Sequence, residues 1–193
     1  MSVGLVYDPV FLGHDTGDHI ENGRRLERTV GLLGSGNLRR RLVSITPEPA
    51  SMEDLLRVHS AQHVTRVDRS SSSGGGWLDG DTVTSPSSYE AALYAAGGVV
   101  RATEAVIGGD VESAFTLVRP PGHHATRTDA MGFCLFNNVA IAARVAVQRR
   151  GLDRVLIVDF DVHHGNGTQD IFYSDGQVMY ISTHQYPLYP GTG

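Results

Sequence analysis

The sequence predicts an α/β layered fold with a mainly parallel sheet. Segments with strand patterns and segments with helix patterns alternate along the chain, which is typical of parallel sheets. The segment Val155-Leu156-Ile157-Val158 is apolar at every position, which predicts a strand that is buried on both faces. The 193 residues correspond to one domain, at roughly 100–200 residues per domain.

Five strands are predicted from short apolar runs that end at turn residues. They cover residues 3–7, 42–46, 114–118, 154–160 and 178–182. Asp8-Pro9 ends the first strand and Pro47 ends the second. The strand at 154–160 has the strongest pattern of the five.

Four helices are predicted from helical patterns and capping residues. They cover residues 21–33, 51–58, 88–107 and 137–150. The first ends near residues 34–37, Ser51 is an N-cap candidate, and Gly151 follows the last helix. Gly97-Gly98 would weaken the helix at 88–107 unless a neighbouring segment packs closely against it.

Two polar segments are predicted to be loops. Residues 11–22 are polar and carry histidines. Residues 69–76 have the low-complexity sequence Arg-Ser-Ser-Ser-Ser-Gly-Gly-Gly, which predicts a flexible surface loop. Long polar loops inside a domain are often functional, so Asp79 and Asp81 are candidate functional residues.

The composition is that of a globular protein with a mild acidic excess. The chain is 40% hydrophobic and has a net charge of −5, which argues against disorder and against nucleic-acid binding driven by bulk charge. No apolar run approaches the roughly 18 residues of a membrane span, and no signal peptide is visible. The single cysteine, Cys134, cannot form an internal disulfide, so we expect a cytoplasmic protein. The apolar neighbours of Cys134 predict a buried structural thiol rather than a nucleophile.

Adjacent histidines mark two segments that follow predicted strands. His163-His164 comes after Asp159 and Asp161, at the carboxyl end of a parallel strand, where open α/β sheets bind ligands. Side chains two residues apart share a face of a strand, so Asp161 and His163 are a candidate pair of zinc ligands. Asp159, one step deeper, would accept a hydrogen bond that orients a histidine.

The second segment, residues 119–125, has the sequence Arg-Pro-Pro-Gly-His-His-Ala. Its loop should reach the same edge of the sheet, where His123 and His124 would be suited to proton transfer. A lone Asp-x-His is more often structural, but two histidine pairs at strand ends favour a functional site. The other histidines considered are predicted to be surface or loop residues, although the first two could line the same rim: His14, His19, His59 and His63.

Four segments in order together resemble the zinc-dependent histone deacetylase family, which includes acetylpolyamine amidohydrolases and acetoin-utilization proteins. The segments are residues 119–125, 132–140 (Gly-Phe-Cys-Leu-Phe-Asn-Asn-Val-Ala), 159–168 (Asp-Phe-Asp-Val-His-His-Gly-Asn-Gly-Thr), and 180–184 with 190–193. The likeness extends from about Leu5 to the last residue. It implies the arginase/deacetylase fold, which is a three-layer α/β/α sandwich around a mainly parallel sheet.

The resemblance implies roles for the residues at the strand ends. Asp161 and His163 would be zinc ligands, and His123 would be oriented by Asp159. His124 would be the general base, oriented by Asn166. Asparagine at this position is similar to the class II and prokaryotic branch of the family, since the class I branch has aspartate.

The resemblance also implies substrate and potassium sites. Gly132 and Phe133 would line an acyl-lysine tunnel with Tyr189 on the opposite wall, and Asp81 would bind the substrate backbone, with Asp79 as the alternative. Backbone carbonyls near Asp159, Asp161 and His163, with Ser182, resemble an inner potassium site. An outer potassium site would involve Phe172, Asp175 and Val178. The implied reaction is hydrolysis of the acetyl amide of acetyl-lysine or of an acetylated small amine, with no nucleic-acid or membrane partner.

Two family residues have no counterpart in the sequence: a third zinc ligand, which is an Asp, and an oxyanion tyrosine, both downstream of the last motif in relatives. We therefore expect residues 1–193 to be the N-terminal part of a single deacetylase domain, inactive alone and incomplete at the C-terminus. A non-catalytic interaction domain or pseudoenzyme is the alternative. A manganese hydrolase of the arginase type fits residues 119–125 poorly.

Overall fold

The strands form two separate parallel groups and one short hairpin. The computed structural model describes residues 2–34 and 38–193. Its strands are β1 (Val3–Val6), β2 (Leu42–Ile45), β3 (Gly76–Trp77), β4 (Val83–Thr84), β5 (Ser113–Thr116), β6 (Val155–Asp159) and β7 (Val178–Ser182). The first group has the order β2-β1-β5, the second pairs β6 with β7, and β3 pairs antiparallel with β4. The five predicted strands are therefore confirmed, with ends shifted by one or two residues.

The helices connect and cover these strands. They are α1 (Arg24–Gly34), α2 (Met52–Leu56), α3 (Ala61–Ser72), α4 (Ser88–Gly108), α5 (Asn138–Gln148) and α6 (Asn166–Phe172). Ser51 caps α2 as predicted, with its side chain accepting a hydrogen bond from Asp54 N. The predicted end of the first helix at residues 34–37 lies partly outside the described residues. None of the described helices has the length and apolarity to cross a membrane.

The long helix α4 lies between the two parts of the core. One cluster of buried side chains joins α4 with α3, α5 and the inner side of β6, and the other joins α4 with β1 and α1. A Cβ atom at Gly97 would overlap the Glu48 carbonyl oxygen, and one at Gly98 would lie 3.0 Å from Val6 Cγ1. The adjacent glycines in α4 thus allow the close packing that the sequence required of them.

Two predicted loops are partly helical. Residues 69–72 belong to α3, which Ser60 caps by accepting a hydrogen bond from His63 N at 3.1 Å. Val64 and Val67 of α3 are buried, and Ser71 Oγ donates to Ser85 O at 2.7 Å. The serine-rich sequence hid this helix because half of its buried side chains, His63 and Ser71, are polar and are satisfied only by tertiary contacts. In the other segment, Pro9–Gly13 forms a short 3-10 helix.

The prediction that β6 is buried on both faces is wrong for the described residues. Ile157 is buried, but Leu156 is 56% exposed and Val158 is 54% exposed. Their partners in β7, Met179 and Ile181, are exposed as well. No described element covers this face, so apolarity at every position did not translate into burial on both sides.

Candidate functional site

The loop after β5 and the loop after β6 meet at one cavity of about 720 Å³. The side chains that line it include His123, His124, His163 and aromatic residues. The predicted site residues on its wall are Asp81, His123, His124, Gly132, Phe133, Asp161, His163 and Tyr189. The fold therefore brings together at one place residues that are up to 108 positions apart in the sequence.

His123 and His124 each have their own hydrogen-bond partner. The two imidazole rings are 4.0 Å apart between centroids. His123 Nδ1 lies 2.9 Å from Asp159 Oδ2, and His124 Nδ1 lies 2.8 Å from Asn166 Oδ1. Because a carboxylate and an amide oxygen only accept, both histidines donate from Nδ1 when neutral. The Nε2 atom of each ring then carries a lone pair.

Burial and neighbours set the protonation of this group. Burial alone would raise the pKa of Asp159, but hydrogen bonds from His123, Asp161 N and the Tyr180 hydroxyl outweigh it and lower the pKa. Burial and the neighbouring His123 lower the pKa of His124 to about 4, against a smaller opposing effect from Asn166. His124 is therefore neutral at neutral pH and can accept a proton.

Glycines allow the surrounding backbone to approach residues 119–125, called the histidine loop below, closely. A Cβ atom at Gly122 would lie 2.7 Å from Asn138 N at the start of α5. A Cβ atom at Gly167 of α6 would overlap the Ala125 carbonyl oxygen. Larger residues at either position would push the histidine loop away from these helices.

Asp161 and His163 place an oxygen donor beside a nitrogen donor. The chain bends after β6, since Asp159 Oδ1 accepts from Asp161 N at 3.1 Å and Asp161 Oδ1 accepts from His163 N at 2.8 Å. This local bonding, rather than the strand alternation expected from the sequence, brings the two side chains together. His163 Nδ1 lies 3.1 Å from Asp161 Oδ1.

The donor chemistry of this pair fits zinc, which binds imidazole nitrogen and carboxylate oxygen. Within residues 2–34 and 38–193, no three His, Cys, Asp or Glu side chains converge on a metal position. Catalytic zinc sites ordinarily have three protein ligands. Asp161 and His163 would supply only two of these ligands, and their role as zinc ligands stays a prediction.

A tight turn forms one wall of the cavity. Met131 and Cys134 pair across Gly132 and Phe133, whose φ angles are 56° and 70°. Asp81 Oδ1 accepts from Gly132 N at 3.1 Å, and the Thr82 hydroxyl accepts from Phe133 N at 3.0 Å. These bonds hold Phe133 in a backbone conformation that non-glycine residues rarely adopt.

The Tyr189 ring lies 5.0 Å from the His124 ring, nearly perpendicular to it. In this structure Asp81 binds the turn that presents Phe133. Its assignment as a substrate ligand stays a prediction, as does the alternative of Asp79, whose Oδ1 accepts from Asp81 N at 3.0 Å.

The residues proposed for potassium surround the ends of β7. Val178 begins the strand and Ser182 ends it. Asp175 pairs with Arg144, and the Arg144 guanidinium lies 4.8 Å from the centre of the Phe172 ring. The side chain of Asp175 is thus already neutralised, and the potassium assignment stays a prediction.

Three of the histidines predicted to be surface or loop residues are buried. His14 and His59 do lie in loops, whereas His63 lies in α3. His14 Nδ1 lies 2.7 Å from Ser88 Oγ, and His63 Nε2 lies 2.9 Å from Leu135 O. These tertiary partners satisfy the rings in the interior, and sequence spacing does not reveal them. His19 is half-buried, with its ring 4.8 Å from the Phe133 ring at the cavity rim.

Sequence reasoning missed several residues that support the site. Arg119 is fully buried and donates from Nε to Glu21 Oε1 at 2.8 Å, which ties the segment before α1 to the histidine loop. Tyr180 donates to Asp159 Oδ2 at 2.9 Å. Asn137 donates from Nδ2 to the Ala125 carbonyl of the histidine loop. All three lie inside the segments that carry the family resemblance, and that position was the available signal.

The site thus combines a parallel α/β scaffold, two adjacent histidines, and a carboxylate and an imidazole beside them. The protein-family model described as "Histone deacetylase domain" matches residues 19–193 of the chain. The chain belongs to the histone deacetylase family, and its fold is the α/β arginase/deacetylase fold.

Individual relatives agree with this assignment. A "Probable deacetylase" of Methanothermobacter thermautotrophicus is 44% identical over 98% of this chain and 56% of the relative. A "Histone deacetylase-like amidohydrolase" of Pseudomonas aeruginosa is 44% identical over 97% of this chain and 48% of the relative. The crystal structure of the HDA15 HD domain superposes with a TM-score of 0.95 at 40% identity, over 100% of this chain and 57% of the other. The chain spans about half the length of the curated relatives it matches.

Proposed function

We propose that the protein is a zinc-dependent deacetylase that hydrolyses the acetyl amide of acetyl-lysine or of an acetylated small amine. The observation that carries the proposal is the pairing of His123 with Asp159 and of His124 with Asn166 at one cavity. Residues 1–193 would be the N-terminal part of a single deacetylase domain. We place the protein in the cytoplasm because its one cysteine, Cys134, is buried and unpaired.

Asp161 and His163 would hold the zinc ion, which when bound supplies Lewis-acid polarisation of the acyl carbonyl. The chain's own residues would move the protons. His124, neutral and with Nδ1–H bonded to Asn166, accepts the proton of the attacking water at Nε2. A histidine of the pair then donates a proton to the departing amine nitrogen.

The cavity walls would position the substrate. Phe133 and Tyr189 would flank the alkyl chain that carries the acetyl amide, and Gly132 would leave room beside His124. Apolar walls would exclude water from the alkyl chain of the substrate, while the histidines act on the amide at the end of that alkyl chain. Asp81, whose Oδ1 is bonded to Gly132 N, would be the rim carboxylate that a substrate N–H meets.

The decisive experiment is an acetate-release assay of the longer protein to which residues 1–193 would belong. The substrates are an acetyl-lysine peptide and an acetylated polyamine, each with zinc and with a chelator. We expect turnover that the chelator abolishes and zinc restores, and a loss of roughly 10²–10⁴-fold in His124→Gln. His184→Gln, which changes a histidine outside the cavity wall, is the matched control. Absence of zinc-dependent turnover on any acyl amine would contradict the proposal.

A non-catalytic interaction domain is the second candidate. Two observations favour it: the two-residue ligand set, and the exposed apolar face formed by Leu156, Val158, Met179 and Ile181. Exposed apolar patches commonly mark protein interaction sites. Tight zinc binding together with turnover would reject this alternative.

A further inference from the structure

The histidine loop is anchored through three backbone carbonyl groups. The Pro120 carbonyl accepts from Asn138 Nδ2 at 3.1 Å, and the Ala125 carbonyl accepts from Asn137 Nδ2 at 3.1 Å. The carbonyl of His123 accepts from Thr168 N at 3.1 Å. Two adjacent asparagines at the start of α5 and one threonine in α6 therefore hold the loop from both sides.

Asn137 is the residue that joins all three elements. Its Oδ1 accepts from Ala140 N at 3.1 Å and so caps α5, while its Nδ2 donates to Ala125 O and to Thr168 Oγ1, both at 3.1 Å. Asn137 and Thr168 are fully buried. Water therefore cannot replace any of these bonds without a rearrangement of the core.

The backbone of Asn137 extends this network to His59, which lies between α2 and α3. Asn137 N donates to His59 Nε2 at 2.9 Å, and His59 Nδ1 lies 2.9 Å from Thr126 O. His59 therefore bonds both to the residue that follows Ala125 and to the start of α5. The position of the loop relative to α5 is fixed on either side of Ala125.

We propose that Asn137 is a positioning residue that sets His124 against Asn166. His124 precedes Ala125, and Asn166 is two residues before Thr168 in α6, so the amide group of Asn137 links both partners of the 2.8 Å His124–Asn166 bond. Small displacements of a catalytic group are costly, since about 1 Å can reduce a rate by roughly 10²-fold. The inference rests on the proposed function for the role of His124 as a base, but not for the geometry.

The test separates the two halves of the Asn137 amide. Asn137→Asp keeps an oxygen that caps α5 and removes the Nδ2 donor, so the cap remains while the bond to Ala125 O is lost. Thr168 Oγ1, which lies 3.4 Å from Asn137 Oδ1, can then only donate to the carboxylate. Ser60→Ala, which removes the cap of α3 and does not touch the loop, is the control for a general loss of stability. A second pair, Thr168→Val and Thr168→Ser, removes or keeps the hydroxyl at the other end of the link.

The readout is the tautomeric state of the His124 ring, measured in the full chain by long-range ¹⁵N–¹H correlation and assigned with His124→Gln. The unchanged protein is expected to hold the proton on Nδ1. Asn137→Asp and Thr168→Val should populate both tautomers, while Thr168→Ser and Ser60→Ala should not. If Asn137→Asp fails to fold, the threonine pair decides the question. An unchanged His124 spectrum in folded Asn137→Asp, or in Thr168→Val, overturns the proposal.

Kinetics separate this inference from the proposed function. In active protein, Asn137→Asp should lower kcat by about tenfold or more with little change in KM, because the substrate walls are intact. If the unchanged protein lacks turnover but its His124 tautomer depends on Asn137, the proposed function fails and the positioning role stands. If turnover is present and neither kcat nor the tautomer responds to Asn137→Asp, the positioning role fails and the proposed function stands.

Discussion

The buried histidine His59 should make the protein unstable in mild acid. Its Nε2 accepts a hydrogen bond from Asn137 N, and its Nδ1 faces the Thr126 carbonyl, so the native structure requires the neutral ring. Burial, together with the nearby His63, lowers the pKa of His59 from 6.5 to about 3. A second proton on Nε2 would face the N–H group of Asn137 with no acceptor in reach.

The sign and the magnitude follow from linkage. Because the pKa of His59 is lower in the folded state than in the unfolded state, its contribution is fully present above pH 6.5 and is lost as the pH falls toward 3. Each pH unit in this window costs about 1.4 kcal/mol. Between pH 6.5 and pH 4.5 the loss is about 3 kcal/mol, a large part of the roughly 5–15 kcal/mol typical of a domain. His14, whose pKa burial also lowers to about 3, adds a loss of similar size.

The assay is urea unfolding at a series of pH values between 7.5 and 4.5. His59→Gln replaces the ring with a side chain that does not titrate, so the slope of the unfolding free energy against pH should decrease by about 1.4 kcal/mol per unit. Ser60→Ala should lower the whole curve by about 1 kcal/mol and leave its slope unchanged. If His59→Gln kept the slope of the unchanged protein, the account of His59 as an obligatorily neutral ring would be wrong.

Three further substitutions test the cavity wall and its support. Gly132→Ala should destabilise the protein by about 1–3 kcal/mol in urea unfolding, because the new Cβ would overlap the His124 ring at a φ of 56°. Phe133→Asn should raise the free energy of unfolding by about 1 kcal/mol, since asparagine tolerates a φ of 70° better than phenylalanine does. The same change should raise KM for acetyl-lysine, because it removes an aromatic ring from the cavity wall. Arg119→Met should cost about 3 kcal/mol because the buried carboxylate of Glu21 then keeps only its longer 3.5 Å ion pair with Arg25. Adding Glu21→Gln should recover part of that loss in a thermal melt.

Local sequence patterns predicted most of the elements that have an apolar face or a cap. The helix α5 and the strand β7 appear where their patterns place them. Helix α3 was missed because its serines and its buried His63 depend on distant partners such as Leu135 O. The two exposed side chains of β6, Leu156 and Val158, were misjudged because apolarity reports what a residue can bury, not what covers it.

The site was predicted in its members more than in its geometry. Motifs placed His123, His124, Asp159 and Asn166 together before any contact was known. They did not reveal how the loop is held, because the anchors are backbone carbonyls, which have no sequence signature of their own. Asn137 was visible only as part of a matching segment, since a buried asparagine that serves both as a helix cap and as a link between loops looks like any other asparagine.

The two halves of the site differ in how firmly the fold holds them. The histidine loop is fixed by buried donors on α5 and α6, of which the Asn137 amide is central. Asp161 and His163 instead lie on a bend held by local bonds, and their neighbour Phe160 is 85% exposed. Rigid packing would therefore set the geometry of the proposed proton transfer, whereas the proposed ligand pair would be held less firmly. Changes to α5 should therefore alter proton transfer without altering metal affinity. Changes to the bend at residues 159–163 should alter metal affinity without altering proton transfer.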